Sequence, residues 1–157
     1  MEFIGKPAIN PLIFYSGKFS GYVAWGILIA LLSGSVLLER KVFFFNHYIA
    51  LPILAAGLIL AGISLINLGR STRFGLPTDK TKFKTNGLYR ISRNPMYVGF
   101  DLITIAAMIY TLHWFVIILG VYSIITYHLI IKGEEKFLTE RFGDEYRNYL
   151  VNVRRYI

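Results

Sequence analysis

The sequence contains no cysteine, which excludes disulfides, thiolate metal sites and thiol catalysis. Charge is scarce as well: 17% of the residues are charged, against about a quarter in an ordinary soluble domain. There are only three histidines, His47, His113 and His128, and no two are four residues apart on one helix face. Each therefore reads as an interfacial or hydrogen-bonded side chain, and no metal site is expected. No G-x-G-x-x-G element follows a predicted strand, so a Rossmann-type nucleotide domain is not expected either. No A-x-A-like site precedes Glu39, and the first apolar run is long enough to span, so it reads as a membrane segment rather than a leader.

What fills the chain instead is apolar sequence. Hydrophobic residues make up 55% of the 157, and mean hydropathy is +0.51. The charges are segregated, leaving uncharged runs at Ser20–Leu38 (19 residues), Val42–Gly69 (28) and Leu102–Ile131 (30). A helix needs roughly 20 residues to cross ~30 Å of hydrocarbon. The first two runs each fit one crossing. The 36 residues from Met96 to Ile131 fit two short crossings with a tight turn near Thr111 to Trp114. The expected fold is an all-α integral membrane protein with four transmembrane helices. A C-terminal amphipathic cytoplasmic helix follows, because Leu138, Phe142, Tyr146, Tyr149 and Val153 recur every three or four residues after Glu134.

The cations set the expected orientation. Between Gly69 and Pro95 lie Arg70, Arg73, Lys80, Lys82, Lys84, Arg90 and Arg93 against one acid, Asp79, whereas the first loop has only Arg40 and Lys41. The positive-inside rule then places the 69–95 loop and both termini in the cytoplasm. The net charge of +8 is thus a topology signal first, and nucleic-acid binding is not expected. Lys80, Lys82 and Lys84 alternate with Thr81 and Phe83, a pattern suited to anionic lipid headgroups.

Two parts follow from the composition. Residues 1–68 read as a transmembrane hairpin serving as scaffold, with Gly57 and Ala61, and the neighbouring Gly62 and Ser64, as small residues for close helix packing. Residues 69–157 hold nearly every ionisable group and read as the catalytic part. There, Gly75-Leu76-Pro77 and Asn86-Gly87 mark turns, and Pro95 is placed to open a helix. Tyr97, Gly99 and Asp101 would enter the membrane on that helix. A closed hairpin would bring Arg93-Asn94-Pro95 to within ~10 Å of Glu134-Glu135, the spacing of packed helices. An acid at Asp101, inside a span, calls for a partner, and Arg90 or Arg93 is the expected one. Tyr89 and Tyr97 also fit an aromatic belt, and Glu134 and Glu135 also fit the solvated first turn of a helix.

The ordered combination resembles the isoprenylcysteine carboxyl methyltransferases and their phospholipid methyltransferase relatives. Those proteins carry G-x-Y-x-x-x-R-H-P-x-Y-x-G, a helical hairpin, and then E-E-x-x-L-x-x-x-F-G-x-x-Y-x-x-Y. Gly87, Tyr89, Arg93, Pro95, Tyr97 and Gly99 match the first part, and Glu134, Glu135, Leu138, Phe142, Gly143, Tyr146 and Tyr149 match the second. The resemblance covers roughly residues 69–153. It implies a methyltransferase dependent on S-adenosyl-L-methionine. Tyr89, Asn94, Pro95, Tyr97, Gly99, Glu134 and Glu135 would bind the cofactor, with the two glutamates on its amino group or ribose. Arg93 would orient an anionic acceptor, and Glu135 or Tyr97 would take a proton from an amine or thiol. The sequence departs from the motif at Asn94, where the family has histidine, and at Asn152-Val153-Arg154, where it has R-V-P. Arg154 or Arg155 would replace the missing arginine, and carboxylate, amine and thiol acceptors all stay open.

The implied partners are membrane lipids and a lipophilic substrate entering from the bilayer. The setting would be a bacterial or archaeal cytoplasmic membrane, with the site facing the cytoplasm. Two other readings share these residues. Membrane sterol reductases have a similar N-P-x-Y-x-G element and use NADPH, although they are much longer. A non-catalytic membrane scaffold is the third.

Overall fold

The computed structural model describes residues 6–38, 44–69, 83 and 85–157. The expected turn at Gly75-Leu76-Pro77, the lysines 80, 82 and 84, and the first-loop cations lie outside these residues. The described chain is helical: α1 Pro11–Leu38, α2 Phe44–Leu68, a 3-10 turn at Gly87–Arg90, α3 Pro95–Thr111, α4 Trp114–Phe142 and α5 Asp144–Asn152. Three helices, α1, α2 and α4, contain spans long and apolar enough to cross a membrane. With 17 residues, α3 reaches only about 25 Å at 1.5 Å per residue, short of a full hydrocarbon core.

Local chemistry sets the helix ends. Asn10 Oδ1 accepts the Leu12 N–H at 2.9 Å, ahead of Pro11 in the first helical position. Pro95 opens α3 in the same way. The turn falls at Leu112-His113: Leu112 adopts a left-handed conformation (φ 44°), and His113 Nδ1 accepts the Phe115 N–H to cap α4. The single amphipathic helix expected from Glu134 is in fact two pieces. The span-forming helix α4 runs without a break to Phe142, and Gly143 (φ 56°) then turns the chain into the short α5. A left-handed residue after the last turn favours glycine, which carries no Cβ.

Packing follows a membrane logic. Large apolar side chains such as Ile29, Leu58, Ile59, Ile66, Ile118 and Ile125 face outward, whereas Ser20, Ser64, Thr104, Ser123 and Thr126 are buried between helices. Hydrocarbon gives no hydrophobic drive between helices, so small residues that permit close approach decide the contacts. Helix α2 packs most extensively on α3, and α1 on α4. At the first contact Gly57 meets Gly99 and Ile103, while Gly99 meets Ala61; at the second, Gly17 and Gly21 lie on Thr126 and Ser123. Gly57 and Ala61 thus pack as expected. Gly62 does not, having open space where a Cβ would stand.

Most of the buried hydroxyls bond to their own helix backbone, as Ser64 does to the Leu60 carbonyl at 2.6 Å. Thr104 in addition accepts the Trp25 indole N–H at 2.9 Å, joining α1 to α3. Replacing Thr104 with valine leaves that N–H without its acceptor. The expected cost is about 1–2 kcal/mol, read as a lower melting temperature in detergent. An unchanged melting temperature would show the bond to be idle.

Candidate active site at the mouth of the α3–α4 hairpin

The short loop after the 3-10 turn, Ile91–Asn94, feeds directly into α3, and α4 returns past it. This topology brings the two polar segments of the sequence into contact, closer than the ~10 Å expected from helix spacing. Arg93 Nε and Nη2 donate to Glu135 Oε1 at 3.0 and 2.9 Å. In the first turn of α3, the Tyr97 hydroxyl donates to Glu134 Oε1 at 2.8 Å. Adjacent glutamates on one helix thus take different partners: Glu135 faces the loop and tail, and Glu134 faces the α3 phenol.

The C-terminal tail completes the site. Arg155 Nε and Nη2 reach Glu135 Oε2 at 3.0 and 2.7 Å, so the carboxylate sits between two guanidinium groups. Of the two arginines that could stand in for the one missing from the motif, Arg155 is the one that reaches Glu135. Arg154 points its side chain outward and offers its carbonyl to the Arg93 N–H at 2.8 Å. The hydrogen bond to Glu135 holds the Arg155 guanidinium above its usual pKa, against the opposing effect of partial burial and with help from the carboxylate charge.

Arg93 holds more than Glu135. Its Nη1 donates to the Leu150 carbonyl at 3.1 Å and to the Val153 carbonyl at 2.5 Å. Four of its five N–H groups are thereby committed within the protein. Asn94 Nδ2 donates to the Arg155 carbonyl at 3.2 Å, and Ser92 Oγ to the same carbonyl at 3.3 Å. A single parallel bridge joins Ser92 to Arg154. The loop before α3 and the residues after α5 are therefore stitched into one unit over the mouth of the hairpin. Asp101 gets neither of its expected partners. Arg93 is spent on Glu135 and the tail, Arg90 is exposed, and Asp101 Oδ1 is buried with no hydrogen bond.

An aromatic cluster lies beside this unit. Phe83 packs on Phe142, Tyr146 and Tyr149 with ring centroids 5.1–5.4 Å apart. Burial pushes the Tyr149 phenol up to about 12, against the opposing pull of Arg93. It stays protonated and donates to the Tyr89 carbonyl at 2.5 Å. Tyr89 thus supports the tail through its backbone. Deeper in the bundle, Tyr97, Phe100 and Tyr127 form a second cluster with centroids 5.5–6.3 Å apart, and Trp25 of α1 joins it through Phe100.

The remaining expected residues are placed as follows. Pro95 is fully buried at the start of α3. Gly99 faces α2, where its backbone lies against Ala61 and Gly57. Helix α1, read as scaffold, adds Lys18, whose ammonium lies over the Phe14 ring and near enough to Glu134 for the two charges to interact. Neither motif's matched positions include Lys18, Phe83 or Ser92, and the alternation that held Phe83 pointed to lipid headgroups rather than to this site. Among the described residues, no group of His, Asp or Glu side chains could hold a metal ion.

Comparison with known proteins gives this geometry a context. A family model for phospholipid methyltransferases matches residues 45–145, which include α2, α3 and α4 through both glutamates. Two rice proteins, from the indica and japonica subspecies of Oryza sativa, are each 28% identical over 126 residues. Both carry the name probable protein-S-isoprenylcysteine O-methyltransferase. The match covers 73% of this chain and 62% of each relative, so the chain spans less than two thirds of their length. No solved structure is significantly similar to it. Because the family model covers most of the chain, and the arginine, tyrosine and paired glutamates converge at one hairpin mouth, the chain belongs to the phospholipid methyltransferase family.

Proposed function

We propose that this protein is a membrane methyltransferase that uses S-adenosyl-L-methionine and acts on a lipophilic acceptor reaching it from the bilayer. The observation that carries the reading is the Tyr97–Glu134 hydrogen bond at the mouth of an apolar bundle, set above the aromatic cluster of Tyr97, Phe100 and Tyr127. The chemistry of these side chains fits the cofactor. A carboxylate suits its ammonium or ribose hydroxyls, and the faces of Tyr97, Phe100 and Tyr127 suit a sulfonium, since aromatic rings attract cations. When bound, the cofactor supplies an electrophilic methyl group for in-line displacement.

The residues of the chain have separate tasks in this reading. Glu134 holds the cofactor, and Tyr97 orients Glu134. Arg93 and Glu135 act as positioning residues, fixing the tail over the site. Asn94 and Pro95 set the start of α3, and Gly99 lets α2 close on it. The packed bundle excludes water, which favours transfer to an aligned nucleophile. Helix α3 makes a fourth, short crossing, which a membrane accommodates by local thinning. The basic 69–95 segment puts the site on the cytoplasmic side.

Calorimetric titration of the detergent-purified protein with S-adenosylhomocysteine tests the proposal. Saturable binding is expected, weakened about tenfold or more in Glu134→Gln, the loss of one charge-assisted hydrogen bond. Tyr97→Phe should weaken it less. Absence of binding by folded protein would overturn the proposal, and binding of NADPH in its place would support the reductase reading. Equal binding by Glu134→Gln would remove that residue from the site.

A further inference from the structure

Helix α1 lies outside the residues that the family model matches, yet it lines the candidate site. Phe14, only 2% exposed, packs with Tyr97 of α3 and with Tyr127, Ile130 and Ile131 of α4. Helices α1 and α4 run antiparallel, because Gly21 lies on Ser123, Gly17 on Thr126 and, just before α1, Ala8 on Gly133. Lys18 shares the helix face of Phe14, Gly17 and Gly21, and it is half-buried there. Its backbone stands near Thr126, two turns before Glu134 on α4 and so about 12 Å deeper. Side chains on a helix lean toward its own N-terminus. In an antiparallel pair that sends Lys18 up toward the mouth and Glu134 down into the bundle. The Lys18 ammonium leans that way, 4.0 Å from the centroid of the Phe14 ring, and its charge attracts that of Glu134.

We propose that Lys18 is a cofactor-binding residue that holds the carboxylate of the cofactor's amino-acid end while Glu134 holds the ammonium, an assignment that rests on the methyltransferase reading. The amino-acid end is a zwitterion, and these two side chains offer one charge of each sign. An unmatched charge at this depth is costly, so charges there are kept in opposite pairs. A ligand bringing an ammonium alone would draw Glu134 from Lys18 and leave the lysine charge without that of the carboxylate. A ligand bringing both signs satisfies both side chains at once. Other cations of the site are committed or turned away. Arg93 and Arg155 are engaged by Glu135, and Lys132, two residues before Glu134 on α4, is exposed on another face of the helix. The Phe14 ring adds a cation–π contact that holds the Lys18 ammonium on the site side of α1.

Calorimetric titration of the detergent-purified protein with two ligands tests the assignment. One is S-adenosylhomocysteine, and the other is its decarboxylated analogue, which keeps the amino group and lacks the carboxylate. Lys18→Met, which keeps most of the apolar stem, should weaken S-adenosylhomocysteine about tenfold, the loss of one charge-assisted hydrogen bond. It should leave the affinity for the decarboxylated analogue unchanged or raise it, because the lysine no longer competes for Glu134. Lys18→Arg should restore most of the binding of S-adenosylhomocysteine. Glu134→Gln should instead weaken both ligands, since both carry the amino group. Equal weakening of the two ligands by Lys18→Met would show a structural role and overturn the proposal, and so would S-adenosylhomocysteine binding that ignores the substitution. The methyltransferase reading survives either of those results. Folded wild-type protein that binds neither ligand would overturn the proposal and that reading together.

Discussion

Replacing Arg93 with alanine should release the C-terminal segment and destabilise the protein by about 3–5 kcal/mol, the usual cost of breaking a buried ion pair from one side. The side chains of Arg93 and Glu135 are each only 9% exposed. The substitution removes both bonds to Glu135 Oε1 and strips the Leu150 and Val153 carbonyls of their donor. Arg155 remains on Glu135, but its side chain is 35% exposed and cannot neutralise the carboxylate as closely. Thermal unfolding in detergent measures the loss, and limited proteolysis should find the chain newly cleavable after α5. The double substitution Arg93→Met with Glu135→Leu should lose less than Arg93→Ala, because the buried carboxylate goes with its arginine and the cation left without a partner, Arg155, is 35% exposed. An Arg93→Ala protein with wild-type melting and an uncut tail would show that the tail is held by something else.

Gly99→Val should disrupt the α2–α3 pair and cost about 3 kcal/mol, the upper end of the range for overpacking. A Cβ at position 99 would stand 2.7 Å from the Ala61 nitrogen and 2.9 Å from the Gly57 carbonyl oxygen. Both are backbone atoms of a helix and cannot rotate aside, so the helices themselves must separate. Gly62→Ala is the matched control, because a Cβ there meets nothing within 4 Å. It should be neutral or stabilising by up to about 1 kcal/mol, from the better helix propensity of alanine. Denaturation in mixed micelles distinguishes the two. If Gly99→Val were tolerated as well as Gly62→Ala, the close approach of α2 and α3 would not be what holds the bundle together.

Gly57 and Gly62 show how far the sequence could be read. Both sit in small-residue patterns on α2, yet only Gly57 faces another helix. A spacing rule identifies a face that can pack but not whether a partner arrives there. The glutamate pair gives the same lesson at the candidate site. The two motifs located Glu134 and Glu135 together, and placed Arg93, Tyr97 and Pro95 at the opposite side of the hairpin mouth. Which glutamate meets the arginine and which meets the phenol depends on the rotation of α4 against α3.

By itself, the sequence determined the helical class and its apolar helices, four expected to cross and three of them long enough to do so, the start of α3 at Pro95, the turn before Trp114 and the hairpin that unites the motifs. These are local properties: hydropathy over some twenty residues, the missing N–H of a proline, and the rigid rise of a helix. Tertiary structure alone decided that Arg93 clamps the tail, that Arg155 rather than Arg154 reaches Glu135, that Asp101 is left facing a cleft, and that Lys18 comes to Glu134. Each of these joins segments separated by a membrane crossing or by a turn whose direction one glycine sets. A side chain's partner is fixed by where distant backbones come to rest, and no local periodicity encodes that.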